Sequence, residues 1–364
     1  MKLLMLQGGF GTGGAEKIMA AIAAHRHARG DEVQVAAMFM PPEGPFFPYP
    51  RGIGLHVLAA DAPRGRLLHL RRLEAIRRLI RDQRPDVILS FLTKVNCLTL
   101  LAARGTGIPV VISERNNPVI QSAGFWNRAQ QVLASGAAGI VVQTGGQRGD
   151  LPRRLQARTV VIPNFCVPVP FRRAARGPGC HFIAVGRLDR QKGFDRLVRA
   201  FAQVADPGAR LTIFGEGPER GALTRQIAEA GLCGRISLPG IAAGPQDWLG
   251  AGDVLVVSSR FEGFSNVVAE ATCSGLPVLS FDCPFGPGEM IVEGRNGLLV
   301  PPGDVAALTR AMTRLAADPA LRLRLGQAPH LTAAKLDPGR IMAQWDAVLG
   351  AALQPRRAAM AWSS

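Results

Sequence analysis

Residues 1–17, MKLLMLQGGFGTGGAEK, place an apolar run directly before a glycine-rich loop and the start of a helical pattern. Gly9, Gly11 and Gly14 satisfy G-x-G-x-x-G, a spacing that lets the backbone between a strand and a helix approach a phosphate closely. The stretch therefore predicts a βαβ unit of a parallel sheet.

The same alternation continues along the chain. Apolar runs such as EVQVAAMF, DVILSF and PVVIS are separated by helical patterns, and the alternation resumes at HFIAVG after a stretch rich in proline and glycine. Buried strands that alternate with helices indicate parallel sheets covered on both faces. The sequence thus predicts an α/β protein with two doubly wound Rossmann-like domains that face each other across a cleft.

The proline- and glycine-rich stretch sets the expected domain boundaries. We expect an N-terminal domain over residues 1–165, a linker over 166–179 and a second domain over 180–338. Residues 339–364 are expected to form a C-terminal helix and tail that pack back toward the N-terminal domain. Ligands of such sheets bind at the carboxyl ends of the strands, so functional residues are expected in the loops that follow strands.

The 364-residue chain has a formal net charge of +16, and the positive charge is concentrated in its first half. Residues 1–170 hold 21 lysines and arginines against 10 acidic residues. Such an excess is typical of proteins that meet an anionic membrane, a phosphorylated substrate or nucleic acid. With one Tyr and four Trp the chain has few stacking platforms for single-stranded nucleic acid, so no nucleic-acid partner is expected.

Residues 66–84, RLLHLRRLEAIRRLIRDQR, combine an apolar stripe with many arginines. The arginines of this helix could meet anionic lipid or hold a polyprenyl diphosphate acceptor, and its stripe is expected to pack on the sheet as in an ordinary crossover helix. The first apolar run is too short for a secretory signal, and no window is long and apolar enough to span a bilayer. We expect a cytoplasmic protein, with peripheral contact to the inner face of the cytoplasmic membrane as an open alternative.

The segment GRLDRQKG, residues 186–193, follows a predicted strand and precedes a predicted helix. Arg187 offers a planar fork of donors and Lys192 a compact point charge, and the helix N-terminus beside them favours anions. The segment therefore predicts a site for a diphosphate. The ordinary alternative is a pair of solvated loop charges.

Two carboxylates follow the strand DVLVVSS. Glu262 is the third residue after it and Glu270 lies eight residues further on, a spacing that places both on nearly the same face of a helix. Between them lie a loop and a first helical turn whose free N–H groups suit an anion. These intervening residues are Gly263, Phe264, Ser265 and Asn266. As an isolated pair, the glutamates would be ordinary surface residues.

Taken together, GRLDRQKG, FGEGPER, SSRFEGFSNVVAEATCSGLPVLSF and GRNGLLVPPGD resemble the donor half of family 4 of the retaining glycosyltransferases with the GT-B fold. The resemblance runs from Gly186 to Asp304. It implies that Arg187 and Lys192 hold a nucleotide diphosphate, that Glu262 contacts the donor sugar and that Glu270 holds the ribose hydroxyls. It also implies that backbone at 263–266 meets sugar and phosphate.

The first half is similar to the same family through GTGGAE, ISERNNP and VIPN. The resemblance implies that Gly13 and Gly14 face the donor. It implies an acceptor side that includes Glu16, Glu114, Arg115 and Asn116. Many relatives carry a histidine after the strand PVVIS, and this chain has Glu114, Arg115 and Asn116 there, so no role of that histidine is transferred.

The resemblance implies retaining transfer of a hexose from a nucleotide sugar, expected to be a UDP-hexose or a UDP-N-acetylhexosamine. SFDCPFGPGEMI, SERNNP and GGAEK are most similar to the bacterial branch that adds N-acetylhexosamines to lipid-linked or surface polysaccharides, which include lipopolysaccharide. The chain has no D-x-D sequence and no clustered cysteines or histidines of metal spacing. We therefore expect no metal and no cofactor beyond the nucleotide-sugar substrate.

Three other functions remain as alternatives. An epimerase or hydrolase of nucleotide sugars would use the same donor pocket. A nucleic-acid-binding protein would fit the charge alone. A nicotinamide dehydrogenase would need an acidic residue just after the second strand, and the chain has Met38, Phe39 and Met40 there.

Overall fold

The computed structural model describes residues 1–58, 67–115, 124–172 and 179–361, and these form two compact units. The first unit comprises Met1–Asn164 together with Gly339–Ser364, and the second comprises Phe165–Pro338. Each unit is built on its own parallel sheet with helices around it. This confirms the predicted α/β class with two Rossmann-like domains.

The sheet of the first unit has seven parallel strands in the order β3-β2-β1-β4-β5-β6-β7. The strands are β1 (Lys2–Gln7), β2 (Glu32–Ala37), β3 (Gly54–Val57), β4 (Val87–Phe91), β5 (Val110–Ser113), β6 (Gly139–Val142) and β7 (Thr159–Val161). The helices are α1 (Gly14–Ala28), α2 (Leu67–Gln83), α3 (Thr93–Ala102), α4 (Phe125–Leu133), α5 (Gly145–Gly149) and α6 (Arg153–Gln156), with a 3₁₀ turn at Ala134–Gly136.

The second unit has six parallel strands in the order β10-β9-β8-β11-β12-β13. The strands are β8 (His181–Val185), β9 (Arg210–Phe214), β10 (Ile236–Gly240), β11 (Val254–Val257), β12 (Val278–Phe281) and β13 (Gly297–Val300). The helices are α7 (Phe194–Ala202), α8 (Arg220–Glu229), α9 (Pro245–Leu249), α10 (Asn266–Ser274), α11 (Pro287–Met290), α12 (Val305–Ala317), α13 (Pro319–Leu325) and α14 (His330–Ala333). The last helix, α15 (Pro338–Ala361), belongs to the first unit from Gly339 onward.

Both sheets reverse their strand order beside their first strand. In the first unit β1 lies between β2 and β4, and in the second β8 lies between β9 and β11. The connections on either side of such a point run to opposite faces of the sheet, which leaves a crevice at the carboxyl ends of the two central strands. Each unit thus has a natural place for a ligand.

Helix α15 returns the chain to the first unit. Trp345 is fully buried, and its ring centroid lies 5.7 Å from that of Phe91 at the end of β4. Asp346 accepts hydrogen bonds from His25 at 3.0 Å and from Arg26 at 2.5 Å, both on α1. The first unit is therefore completed by residues from the far end of the sequence.

Three local features differ from expectation. Residues 166–172, expected as part of the linker, and Phe165, expected in the N-terminal domain, belong to the second unit, where the Cys166 N–H donates to the Leu336 carbonyl at 2.9 Å. Strand β3 was not predicted, because its four residues are half-exposed and show no apolar run. The stripe of α2 faces the core at Ile76 and Ile80, as in a crossover helix, while Leu70 is exposed. No helix among the described residues is long and apolar enough to cross a bilayer.

Candidate active site

The predicted anion-binding residues of the second unit lie at the carboxyl ends of β8 and β11, which are neighbours in the sheet. Residues 186–193 connect β8 to α7, and we call them the lysine loop. Residues 258–265 connect β11 to α10, and we call them the glutamate loop. Both loops leave the sheet at the point where its strand order reverses.

Lys192 and Glu262 form an ion pair between the two loops. The Lys192 Nζ lies 2.8 Å from the Glu262 Oε1, and the side chain of Glu262 is only 4% exposed while that of Lys192 is 20% exposed. The Ser259 hydroxyl donates a second hydrogen bond to the same carboxylate oxygen, at 2.6 Å. An ammonium group has three donors, so Lys192 can hold Glu262 and still bind phosphate oxygens.

Further hydrogen bonds fix the two loops against each other. The Ser258 hydroxyl donates to the Lys192 carbonyl at 2.9 Å, and the Arg260 N–H donates to the Gln191 carbonyl at 2.8 Å. The Arg260 guanidinium makes two hydrogen bonds of 2.8 Å with Asp195 in the first turn of α7. Burial alone would raise the pKa of the Asp195 carboxyl, but these hydrogen bonds and the charge of Arg260 lower it. Lys192 and Glu262 are therefore held in place by Ser258, Ser259, Arg260 and Asp195, which we call the frame.

Gly193 joins this frame to the start of α7. Its φ of +65° is in the left-handed region, and a Cβ placed on it would lie 2.2 Å from the Ser258 carbonyl oxygen. Both the backbone conformation and the close approach of the glutamate loop require a residue without a side chain. The glycine thus lets the two loops come together.

Gly193→Ala is expected to destabilise the second unit by about 3 kcal/mol, because it adds a backbone clash to the left-handed penalty. Gly231→Ala is the matched control, since Gly231 has a φ of +68° and no described atom lies within 4 Å of its added Cβ. The control is expected to lose only about 1 kcal/mol. Denaturant unfolding measures both, and equal losses would show that the contact with Ser258 is unimportant.

Arg187 differs from Lys192 in its surroundings. Its side chain is 69% exposed, and its Nε donates to the Asp189 carboxylate at 2.6 Å. Only one of the two predicted cations is thus held inside the frame. The guanidinium of Arg187 lies at the surface of the lysine loop.

At the N-terminus of α10, the side chain of Ser265 has no hydrogen-bond partner among the described residues. Ser265 occupies the N-cap position but makes no capping hydrogen bond, and its Oγ is buried with no partner among the described residues. A Cβ on Gly286 would lie 3.3 Å from the Ser265 nitrogen and 3.4 Å from the Glu262 Cβ, so the loop after β12 passes close by. A buried hydroxyl without a partner at the N-terminus of a helix favours a polar ligand here.

The expected arrangement of Glu262 and Glu270 on one helical face is wrong. Helix α10 begins at Asn266, so helical spacing holds for Glu270 but not for Glu262, which lies in the preceding loop. Glu262 is buried within the glutamate loop, and Glu270 is half-buried on the helix. Gly263 and Phe264, also half-buried, complete the predicted stretch between Glu262 and the helix.

In the first unit, Gly13 and Gly14 begin α1 at the carboxyl end of β1. A Cβ on Gly13 would lie 2.2 Å from the Glu16 Oε2, so the Glu16 carboxylate folds back over the glycine loop. Burial raises the pKa of Glu16. Nearby, Gln7 donates to the Tyr49 hydroxyl at 3.2 Å, and burial raises the pKa of Tyr49 to about 12. The loop thus carries a partly desolvated carboxyl group.

Glu114 and Arg115 follow β5 and are both buried. Glu114 accepts hydrogen bonds from Thr93 at 2.7 Å and from Gln130 at 2.9 Å. Arg115 donates to the Asn164 side chain at 2.7 Å, and burial lowers its pKa to about 9. Its guanidinium lies 4.3 Å from the centroid of Phe91 and 5.3 Å from that of Trp345. Asn116 lies outside the described residues.

Several functional candidates were not predicted. Ser258, Ser259, Arg260 and Asp195 assemble the frame, and Gly286 brings the loop after β12 to it. The sequence offered only indirect signals: the two serines and Arg260 lie in the quoted motif, but their partners are distant along the chain. Among the described residues, no three His, Cys, Asp or Glu side chains are grouped so that they could hold a metal ion.

The chain has two Rossmann-like units, and the second carries the Lys192–Glu262 pair at the point where its strand order reverses. This is the class of fold called GT-B, and comparisons with known proteins agree. The family model for "Glycosyl transferases group 1" matches residues 179–318, and that for "Glycosyl transferase 4-like domain" matches residues 13–164. The lipopolysaccharide core biosynthesis glycosyltransferase LpsD of Rhizobium meliloti is 30% identical over 256 residues, 68% of this chain and 70% of LpsD. The chain belongs to this glycosyltransferase family.

Two further similarities concern a part of the chain and its fold. An exopolysaccharide phosphotransferase of Streptomyces coelicolor is 34% identical over 192 residues, which are 52% of this chain but only 20% of that protein. The chain therefore spans a minor part of that relative. The solved structure of Anabaena HepE in complex with UDP has a TM-score of 0.79 at 20% identity and covers 96% of this chain and 100% of HepE. It has the same fold.

Proposed function

We propose that the protein transfers a sugar, with retention, from a nucleotide sugar to a lipid-linked or polysaccharide acceptor in the synthesis of a cell-surface glycan. The observation that carries the proposal is the Lys192–Glu262 pair where the strand order of the second unit reverses, beside the N-terminus of α10. A cation, a buried carboxylate and a helix N-terminus at one place suit a sugar diphosphate.

Similar proteins support the choice of donor and acceptor. HepE has been solved with UDP and also with UDP-glucose, which favours a UDP-hexose or a UDP-N-acetylhexosamine here. LpsD is described as acting in lipopolysaccharide core biosynthesis. Lipopolysaccharide and related surface glycans are accordingly the proposed products.

In the proposed reaction the acceptor hydroxyl attacks the anomeric carbon from the face that the diphosphate leaves. The bond between the anomeric carbon and the phosphate oxygen breaks, its electrons remain on the diphosphate, and a leaving-group oxygen takes the hydroxyl proton. Lys192 and the N–H groups of α10 stabilise the negative charge that develops on the diphosphate. We propose that Arg187 joins them when the donor binds, that Glu262 contacts the sugar and that Glu270 holds the ribose.

This arrangement balances the charge with protein groups alone, and we propose that the transfer requires no metal. The oxyanion that forms as the bond breaks meets a fixed ammonium and fixed N–H dipoles, which need no reorganisation during the reaction. The loop backbone of Gly263 and Phe264, with the hydroxyl of Ser265 and the N-terminal turn at Asn266, lines the same place. These residues are proposed to meet the sugar and the phosphates.

The first unit is proposed to bind the acceptor. Gly13 and Gly14 have no side chains in the loop after β1, and the Glu16 carboxylate, which lies over Gly13 and whose pKa burial raises, is placed to meet an acceptor hydroxyl. Glu114 and Arg115 are buried, so we propose that they position the loop after β5 rather than touch the acceptor.

Because such acceptors are membrane-bound, we propose that the protein works at the inner face of the cytoplasmic membrane.

A thermal-shift series with UDP-, GDP- and ADP-sugars tests the donor. A ligand at about 100 times its Kd adds about 2.7 kcal/mol, which raises the Tm by about 5–10 °C in a unit of this size. We expect this shift with a UDP-sugar, in buffer with and without EDTA. No shift with any nucleotide sugar would contradict the proposal.

The series is followed by product analysis with and without an acceptor glycan. Transfer predicts that turnover of the stabilising donor depends on the acceptor and that the product keeps the anomeric configuration of the donor. Turnover of the same donor without acceptor would instead identify a hydrolase or an epimerase. Loss of the Tm shift on EDTA treatment, restored by a divalent metal, would contradict metal-independent transfer.

A further inference from the structure

Two neighbouring loops of the first unit are joined by backbone hydrogen bonds at the carboxyl edge of its sheet. Residues 8–13 follow β1 and are the glycine loop; residues 38–50 follow β2, and we call them the aromatic loop. The Phe10 N–H donates to the Phe39 carbonyl at 3.1 Å, and the Phe46 N–H donates to the Phe10 carbonyl at 2.9 Å. The position of the aromatic loop beside the glycine loop is therefore fixed by the backbone.

The aromatic loop carries two exposed phenylalanine rings. Phe39 is 58% exposed and Phe46 is 61% exposed. A Cβ on Gly9 would lie 3.6 Å from the Phe39 Cδ1, so the ring of Phe39 lies against the glycine loop. The Phe46 ring packs edge to face on Phe47, with 5.0 Å between the centroids. Exposed rings held in this way offer apolar faces to a ligand.

Tyr49 adds a hydroxyl group to the same loop. Its ring packs edge to face on the buried ring of Phe10, with centroids 5.7 Å apart. The Gln7 Nε2 donates to the Tyr49 hydroxyl oxygen at 3.2 Å, and the hydroxyl hydrogen has no acceptor among the described residues. Gln7 is only 1% exposed, and its Oε1 also lacks a partner in the described part of the chain. Buried polar groups are normally paired, so these unused positions favour a polar ligand.

Glu16 provides an acceptor near the donor of Tyr49. Its carboxylate lies over Gly13 in the glycine loop. Burial, and to a smaller extent the negative charge of Glu16, raise the pKa of Tyr49 to about 12, so the two groups are close enough to interact. A sugar hydroxyl both donates and accepts, and it can therefore pair with the carboxylate and with the phenol at once. An ionised phosphate would instead be repelled by the carboxylate.

The charge of the two loops also favours a neutral ligand. Neither the glycine loop nor the aromatic loop contains a lysine or an arginine, although the first half of the chain is strongly basic. The first cations beyond them are Lys17 and Arg51, and the acidic residues of this region are Glu16 and Glu43. A site for a phosphate or a diphosphate normally supplies cationic donors. These loops supply aromatic rings and carboxylates instead.

We propose that the glycine loop and the aromatic loop bind a neutral sugar of the acceptor, with sugar rings stacked on Phe39 and Phe46 and one hydroxyl held between Tyr49 and Glu16. Gln7 is a positioning residue, because its amide orients the Tyr49 hydroxyl. The inference rests on the proposed transfer and names its acceptor as a glycan rather than a lipid phosphate. The protein would then extend a glycan, and an earlier transfer reaction must place the first sugar on the carrier.

The test is saturation-transfer NMR of the full chain with methyl glycosides of neutral hexoses and N-acetylhexosamines, in the presence of saturating UDP. At least one glycoside is expected to bind with a millimolar Kd. Tyr49→Phe keeps the ring contact with Phe10 but loses the hydroxyl, so it is expected to weaken this binding about fivefold. Phe39→Leu/Phe46→Leu keeps apolar side chains but loses both rings, and it is expected to weaken binding about tenfold.

The matched control is Phe125→Leu. Phe125 is 75% exposed in the same unit, at the start of α4, and the strand before it, β5, is three positions from β2 in the sheet. The control is expected to bind the glycoside within about twofold of the wild-type affinity. An equal loss in Phe125→Leu and in Phe39→Leu/Phe46→Leu would overturn the proposal, because it would reflect exposed apolar surface in general.

Two other results would also overturn it. One is the absence of binding by every glycoside. The other is transfer to a polyprenyl phosphate with no transfer to any glycoside. In steady-state assays the variants of the aromatic loop are expected to raise the KM for the acceptor and to leave the KM for the donor within about twofold, whereas a loss of folding would lower the active fraction for both substrates.

The Tm shift by a UDP-sugar reports on the second unit and is expected to be unchanged in each of these variants. Glycoside binding without any shift by a nucleotide sugar would contradict the proposed transfer but not the sugar site. A shift by a UDP-sugar without glycoside binding would contradict the sugar site alone. The two failures are therefore distinguishable.

Discussion

Lys192→Ala is expected to lower sugar transfer by about two to three orders of magnitude, the usual effect of removing one group that stabilises a developing oxyanion. The ammonium is held 2.8 Å from the Glu262 Oε1 at the switch point, where no solvated charge could replace it at the same position. We also expect weaker binding of UDP, because the ammonium attracts the diphosphate in the ground state as well. Initial rates and a UDP titration measure the two effects.

The same substitution leaves the buried carboxylate of Glu262 without its cation, which is expected to cost about 2 kcal/mol of stability. Lys335→Ala is the control, because Lys335 is an exposed lysine of the same unit. A double variant, Lys192→Ala/Glu262→Gln, should recover much of the lost stability without recovering transfer. Recovery of both would mean that Lys192 acts only by holding the fold.

Glu262→Gln is expected to reduce transfer by about a hundredfold while UDP binds within about threefold of the wild-type affinity. The amide keeps the shape of the side chain, and its oxygen can still accept the hydrogen bond from Ser259. What is lost is the negative charge toward the sugar and the ion pair with Lys192. Rates at saturating donor, combined with the affinity for free UDP, separate the sugar contact from the diphosphate contact.

Glu229→Gln is the control for this substitution, because Glu229 is an exposed carboxylate at the end of α8. Near-normal transfer in Glu262→Gln would remove the carboxylate from the mechanism. A parallel loss of UDP affinity would instead mean that Glu262 acts by orienting Lys192. The two outcomes lead to different descriptions of the site.

Much of the fold could be predicted from the sequence because buried parallel strands are continuous apolar runs. LLML lies in β1, DVILSF and DVLVVSS contain β4 and β11, and the helix predicted to follow GRLDRQKG begins at Phe194. Strand β3 could not be predicted, since an edge strand of four half-exposed residues has no such run. The order of strands in each sheet depends on contacts that no local pattern records.

The glycine loop shows how a correct pattern can suggest a wrong cofactor. G-x-G-x-x-G does lie between β1 and α1 of a Rossmann-like unit, as predicted. The acidic residue that would confirm a dinucleotide is missing after β2, and the ion-paired lysine and glutamate lie in the other unit. The motif therefore predicts the conformation of the loop between β1 and α1, but it does not identify the ligand.

The candidate site was predictable only in its parts. Lys192 and Glu262 could be selected individually from their loops, but their ion pair joins residues 70 positions apart. The hydrogen bonds between Arg260 and Asp195 likewise join residues that are 65 positions apart.

The placement of α15 has a consequence for how the chain is made. During synthesis the first unit emerges early but lacks Trp345 and Asp346, which bury Phe91 and bind His25 and Arg26 only when the last helix has been translated. The second unit is continuous in sequence and can fold as soon as residues 165–338 leave the ribosome. We therefore expect the second unit of a nascent chain to fold first. The sheet of the first unit is expected to stay partly exposed until α15 has been synthesised and packs on it.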